Sequence, residues 1–171
     1  MSFHLVLYVF PFLLLAGFLV YWAGSRHAYN RREPSRPGDP TAFDWHFFVP
    51  CRDEEAVIAT TVTRLRGDFP HSHVWVIDDA SDDLTAPIVT ALTGQDPHIH
   101  LVSRVRPHAR VGKGAALNSA YTALDQHLTP DTDRSRVIVC VVDADGQLSP
   151  DTLTHVSGPD AFADPDTGGV Q

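Results

Sequence analysis

Residues 137–146 read VIVCVVDADG: six apolar residues, five of them β-branched, ending in two carboxylates, Asp143 and Asp145, one residue apart. Such a run has the composition of a strand buried on both faces of a parallel sheet, and the change to acid and glycine marks where it leaves the sheet. The stretch therefore predicts a central strand that delivers two acids to the edge where α/β sheets gather their ligands.

Three apolar runs precede it. Residues 45–50 (WHFFVP) stop at proline and lead into a charged loop, 51–55 (CRDEE); residues 74–77 (VWVI) end in Asp78 and Asp79; residues 98–102 (HIHLV) form a third candidate strand. Between them Val57, Ile58, Val62 and Leu65, then Leu84, Ile88, Ala91 and Leu92, then Leu117, Ala120, Tyr121 and Leu124 recur at helical spacing. Pro87 is comfortable only in a first turn, which sets the second helix's cap at Asp83 or Thr85. Strands alternating with helices predict βαβ units, and hence a mostly parallel, Rossmann-like α/β sheet with helices on both faces. Residues 151–156 fit one or two helical turns, and 158–169 are loop-like.

The N-terminus is different in kind. Residues 3–22 carry no formal charge apart from neutral His4, over a length that crosses about 30 Å of hydrocarbon as a helix. Tyr21 and Trp22 follow as interfacial aromatics, then Arg26, Arg31, Arg32 and Arg36. This order predicts a transmembrane helix over 3–24 in the cell membrane, with a short outer N-terminus and the remainder facing the cytoplasm. A cleaved signal peptide wants a basic start and a shorter apolar core, and neither is present. Residues 25–44, punctuated by Pro34, Pro37, Gly38 and Pro40, predict an extended linker, with the folded domain over 45–171.

The formal charge is −8, with residues 1–40 contributing +2 and the rest −10. A basic segment beside the apolar run suits an anionic membrane surface, and the acidic remainder argues against nucleic acid as a partner. Cys51 and Cys140 sit in apolar runs without CxxC spacing, as free structural thiols do. The histidine pairs His71/His73 and His98/His100 bring no further ligand at a recognisable spacing, so they read as solvent-facing alternation rather than a metal site.

Asp143 and Asp145 would repel each other unless a cation or hydrogen bonds hold both ionised, and Mg2+ or Mn2+, which takes carboxylates, waters and phosphates together, suits them. Lys113, the single lysine of the chain, lies between Gly112 and Gly114 at a predicted helix start, where backbone amides approach an anion closely. It is not a Walker A lysine: Pro107 and Gly114 stand where that motif has glycine and Ser or Thr. No G-x-G-x-x-G follows the first strand, against a nicotinamide or flavin domain. Asp78 and Asp79 read either as caps or, for one of them, as a group accepting from a nucleotide base. Arg52 to Glu55 read as a helix start or as one wall of a cleft.

In order and spacing, VPCRDEE, VIDDASDD, GKGAALN and VVDADG resemble the sequence blocks of family 2 glycosyltransferases with a GT-A fold, particularly membrane-attached polysaccharide synthases. The resemblance runs over 47–146 and extends toward 171. It implies a nucleotide-diphosphate sugar donor, UDP-linked in most members, a Mg2+ or Mn2+ cofactor, and a glycan or lipid acceptor glycosylated with inversion. On the matching positions it places Pro50, Arg52 and Glu54 around the nucleotide, with the Arg52 guanidinium plane where an aromatic ring is common. Asp79 falls at the base, Lys113 near the donor, Asp143 at ribose, sugar or metal, and Asp145 at the metal. The family's catalytic base and its Q-x-x-R-W motif belong to a later part of the domain, so the chain is expected to be the N-terminal part of such an enzyme. The alternative is a truncated, non-catalytic, membrane-anchored nucleotide-sugar-binding module. A sugar-1-phosphate nucleotidyltransferase would carry a glycine- and arginine-rich signature after the first strand, which is lacking.

Overall fold

The computed structural model describes residues 3–31 and 35–170. The chain divides into two compact units, Met1–Ser35 and Arg36–Gln171.

The first unit is one helix, α1 (Phe3–Asn30). Its stretch Val9–Asn30 is long and apolar enough to cross a membrane by length and composition, with mean hydropathy 1.4 and no residue buried against protein. The Arg26 guanidinium lies over the Trp22 ring, 5.7 Å from its centroid. The helix runs past the expected end at residue 24, because Ser25 to Tyr29 contain neither proline nor glycine and nothing there breaks the hydrogen-bond ladder. Arg32 lies outside the described residues.

The second unit is a four-stranded parallel sheet in the order β3-β2-β1-β4. Its elements are β1 (Asp44–Cys51), α2 (Ile58–Asp68), β2 (His73–Asp78), α3 (Thr85–Thr93), β3 (Ile99–Ser103), α4 (Lys113–His127), β4 (Val137–Val141) and α5 (Thr152–Val156). Successive strands step outward from β1 to β3, and α4 then carries the chain back across the sheet to β4 on the other side of β1. Right-handed crossovers in opposite directions put their helices on opposite faces. Accordingly Ile58, Val62 and Leu65 of α2, Val89 of α3 and Leu153 of α5 pack on the face formed by Trp45, Phe47, Val49, Val74 and Val76. On the other face Ala116, Ala120 and Leu124 of α4 cover Phe48, Trp75 and Ile77. Burying a side chain such as Leu124 is worth about 1.5–3 kcal/mol, and the two alanines let α4 lie close to the strands. The reversal of strand order between β1 and β4 opens a crevice at their carboxyl ends.

Two expectations need correction. The central strand is β1; β4 lies at the edge among the described residues, and its Val139 and Val141 are 38% and 49% exposed. Ile138 and Cys140 pack into the larger core, but α4 lies over β1 and β2, which leaves the opposite side of β4 open. The supposed linker is likewise ordered in its second half. Arg36 pairs with Asp160 at 2.5 Å, the Gly38 amide donates to Thr154 O at 2.8 Å, and residues Pro40–Ala42 form a 3-10 turn whose Pro40 carbonyl accepts from the Trp45 indole. Phe43, Trp45 and Phe162 then close an aromatic cluster, so apolar residues hidden among the prolines hold this segment to the domain.

α3 starts at Thr85 with Leu84 at its N-cap, not Asp83 or Thr85 as expected, although the Thr85 amide donates to Asp83 Oδ1 at 2.9 Å, and Pro87 falls in the first turn as its ring requires. Both cysteines are free, and burial raises their thiols, Cys51 to about 12 and Cys140 to about 11, as inert core thiols.

At the amino end of the sheet the face toward α4 carries a wall of rings. His46, His73 and Trp75 stand beside His100, with His127 from the end of α4 against them. Desolvation lowers His46 to about 3 and His73 and His100 to about 4, and neighbouring histidines add to the effect. The unfolded chain takes up these protons near pH 6.5 while the folded one refuses them until about 4, so stability falls as pH drops through that window. Asp96, held at about 2 by its hydrogen bond from Arg66, stays charged throughout it. A melting temperature that declines steadily between pH 7 and pH 4.5 is expected from circular dichroism, and a flat profile contradicts this account.

Candidate functional site

The carboxyl ends of β1, β2 and β4 and the start of α4 enclose a cleft of about 510 Å³, lined by Pro50, Cys51, Arg52, Glu54, Asp79, Arg110, Gly112, Lys113, Ala116, Asp143, Ala144 and Asp145. Pro50, Arg52, Glu54, Asp79, Lys113, Asp143 and Asp145, the positions that the resemblance placed around the donor, all lie in this lining, whereas Asp53, Glu55 and Asp78 do not.

Asp143 reaches it just beyond the end of β4, and Asp145 from the turn 143–146 that follows. The Val142 amide continues the ladder by donating to Phe48 O at 2.9 Å, and Val142 and Ala144 are buried while Asp143 and Asp145 are exposed on the opposite side. Thr61 of α2 donates its hydroxyl to Ala144 O at 2.6 Å and anchors this short extension. Gly146 ends it in a turn, its amide donating to Asp143 O at 2.8 Å; a Cβ there would stand 2.8 Å from Val142 Cγ1 and 2.9 Å from Asp143 O.

Lys113 is the first residue of α4. Its Nζ is 2.5 Å from Asp143 Oδ1, an ion pair in which both side chains are more than half exposed. The preceding Gly112 has φ 121°, a conformation that side chains resist, and it caps the helix with no side-chain acceptor. The first amides of α4 thus lie at the cleft with the positive end of the helix dipole.

Asp78 and Asp79 are held differently. Asp78 is buried, and its Oδ1 accepts from the Ser81 amide in the turn after β2. Asp79 Oδ1 accepts from the Arg104 guanidinium and, at 3.0 Å, from the Arg110 amide. Arg104 also donates to Ser119 Oγ at 3.1 Å and to the His108 carbonyl, tying β2, α4 and the loop after β3 together. Arg110 reaches back to Ala80 O and to Asp82 Oδ2 at 2.6 Å. Hydrogen bonding to Arg110 lowers the Asp82 carboxyl and raises the Arg110 guanidinium. Neither arginine stands out in the sequence, because their carboxylate partners are distant along the chain.

The loops after β1 and β2 are stitched to each other. The Asp53 amide donates to Ser81 Oγ, the Asp82 amide to Asp53 Oδ1, the Glu54 amide to Thr85 Oγ1, the Glu55 amide to Asp83 Oδ2, and the Leu84 amide to Glu55 Oε2, all between 2.7 and 3.0 Å. Asp53, Ala80 and Arg110 hold positive φ near 60°. Such backbone costs on the order of 1 kcal/mol or more per residue, and here the cross-loop bonds hold it in place. Arg52 stays largely exposed, its closest ionic partner being Asp53 at 3.9 Å.

The result is a polar crevice in which carboxylates and cations are paired around a helix start, residue types that could hold a hard divalent cation together with a multiply charged anion. Residues 47–159 match the model of glycosyl transferase family 2. The chain belongs to that family. Among curated relatives it is 34% identical over 111 residues to a beta-monoglucosyldiacylglycerol synthase of Trichormus variabilis, and 29% identical over 108 residues to an undecaprenyl-phosphate mannosyltransferase of Micrococcus luteus. Each alignment takes in 63% of this chain, which spans 21% of the first relative's length and 40% of the second's. Among solved structures, a mannosyltransferase from Pyrobaculum calidifontis in complex with GDP-Man and Mn2+ superposes with a TM-score of 0.58 at 28% identity, over 84% of this chain and 39% of that one. Glucosyl-3-phosphoglycerate synthase of Mycobacterium tuberculosis, at TM-score 0.50 and 24% identity over 80% of this chain and 49% of that one, shares the fold. The expected GT-A-like architecture, a parallel sheet with helices on both faces, is borne out for this family 2 chain.

Proposed function

We propose that this family 2 chain is the donor-binding part of a glycosyltransferase that moves a sugar from a nucleoside-diphosphate sugar, UDP-linked in the first instance, to a lipid or glycan acceptor. The observation that carries it is the alternation at 142–145, which turns two carboxylates into the same cleft as Lys113 and the start of α4. Two of the relatives named above are enzymes of lipid glycosylation, and a structural neighbour holds GDP-Man with Mn2+.

In this reading Asp145, with Asp143, would hold Mg2+ or Mn2+, a cation that takes carboxylates together with phosphate oxygens and water. Such a cation offsets the charge that develops on the departing nucleoside diphosphate. Lys113 exchanges Asp143 for a phosphate oxygen, and the α4 amides accept the same anion. Arg52 lays its guanidinium plane against the base, Pro50 and Glu54 form the rim of the nucleotide site, and Asp79, held by Arg104 and Arg110, accepts from the base N–H. Transfer is a single inverting displacement in which a base deprotonates the acceptor hydroxyl as the anomeric C–O bond breaks; no cleft carboxylate is assigned that role. α1 holds the donor-binding unit at the cytoplasmic face of the cell membrane, an orientation checked by protease protection in intact cells.

Calorimetric titration of UDP and GDP into the full chain in detergent, with Mn2+ or with EDTA, tests the proposal. Binding that requires Mn2+ is expected; equal affinity in EDTA, or no binding of either nucleotide, removes it.

A further inference from the structure

The ring wall at the amino end of the sheet lies at the opposite end of α4 from the cleft, and the proposed transfer makes no use of it. We propose that His73, His100 and His127 form a second, separate site for one divalent transition-metal ion of the imidazole-binding class, with Zn2+ as its probe.

Three elements supply the three donors: the first residue of β2, the second of β3 and the last of α4. Their ligand atoms all lie within 4.8 Å of one another. His73 Nδ1 and His100 Nε2 are 2.9 Å apart. Zn–N bonds of about 2.0–2.1 Å in tetrahedral geometry need nitrogens about 3.3 Å apart, so this pair opens by a few tenths of an ångström while His127, exposed at a helix end, closes in.

The surroundings hold the rings as ligands need to be held. His73 lies between the rings of His46 and His100, at 5.1 and 5.2 Å, and Trp75 stacks on His100 at 4.0 Å. His46 is excluded from the ligand set, since its Nδ1 already accepts from the Trp75 indole. Desolvation keeps His73 and His100 neutral at physiological pH, so an ion needs only that the N–H shared between His73 Nδ1 and His100 Nε2 shift to the other ring nitrogen of its donor. A hollow of about 240 Å³ beside His73 and His127, with Asp44 in its wall, gives an ion and its water a way in and a nearby negative charge. Three imidazoles select Zn2+, Cu2+, Ni2+ or Co2+ over Mg2+ and Mn2+, which the carboxylates of the cleft suit. A bound ion would pin the last residue of α4 to β2 and β3, leaving a fourth position for water.

The test uses the full chain without a polyhistidine tag, carrying Asp143→Asn and Asp145→Asn so that the cleft cannot contribute, and Zn2+ alone. One equivalent of Zn2+ per chain is expected by dialysis and elemental analysis, with a rise in melting temperature and, on Co2+ substitution, the intense visible absorption of a four-coordinate ion. His127→Gln, at an exposed position, is expected to weaken binding more than about tenfold, the loss that even an outer-shell partner brings. His100→Gln should do the same, and His155→Gln on α5 should leave binding intact. Absence of the equivalent, or unchanged binding in both His127→Gln and His100→Gln, overturns the site and leaves the cluster as a stack of hydrogen-bonded rings.

Discussion

Asparagine in place of Asp145 is expected to weaken Mn2+-supported binding of the nucleoside diphosphate by about a hundredfold, or about 2.7 kcal/mol, with little change in folding stability. The substitution keeps the shape and one oxygen but removes the charge. A ligand to a hard cation contributes mainly through that charge, and even outer-shell partners are worth about 10–100-fold in metal affinity. Stability should be spared because the side chain is exposed and no hydrogen bond to it is needed by the turn; Gly146 makes that turn through the Asp143 carbonyl. Titration calorimetry and a thermal melt on the same preparation separate the two effects. Undiminished binding removes Asp145 from the metal site, and a large fall in melting temperature assigns it to the fold instead.

Arg104→Met should act the other way round, on folding first. The Arg104 side chain is 6% exposed and that of its partner Asp79 14%, so truncation leaves a carboxylate out of water with one backbone amide to hold it. Breaking a buried pair in this manner costs about 3–5 kcal/mol, a large share of the 5–15 kcal/mol that stabilises a typical domain. The pair Arg134–Asp125 is about half exposed on both sides and serves as the contrast: Arg134→Ala should cost less than about 1 kcal/mol. Urea unfolding followed by circular dichroism measures both. A loss below 1 kcal/mol for Arg104→Met would show that Asp79 is solvated well enough without its partner.

What could be read from the residues is what local chemistry encodes. The alternation of helix and strand, the strand ends and the acids that follow them are written in runs of a few residues, and they led to one cleft. The edge position of β4 was not legible, because a run of five β-branched residues and one cysteine looks alike whether a helix covers one side or two. Arg104 and Arg110 were passed over for a related reason: their partners Asp79 and Asp82 lie 25 and 28 positions away, and only the sheet brings them together. His73 and His100 are 27 positions apart and take their third companion from the end of a helix, so no ligand spacing along the chain could signal the group. The run to residue 44 was read as loose because prolines dominate it, whereas Phe43 and Arg36 decide its packing.

The alternation at the end of β4 also limits how this protein can change. Sliding that strand by one position would send Val142 into the crevice and turn Asp143 toward the apolar core, so a single-residue insertion or deletion between Val137 and Asp143 is expected to cost stability and, on the proposed reading, donor binding together. Point substitutions there can be tolerated one at a time, but length cannot drift. Genuine family members should therefore differ freely in the loops on either side of this strand while the count of residues within it stays constant.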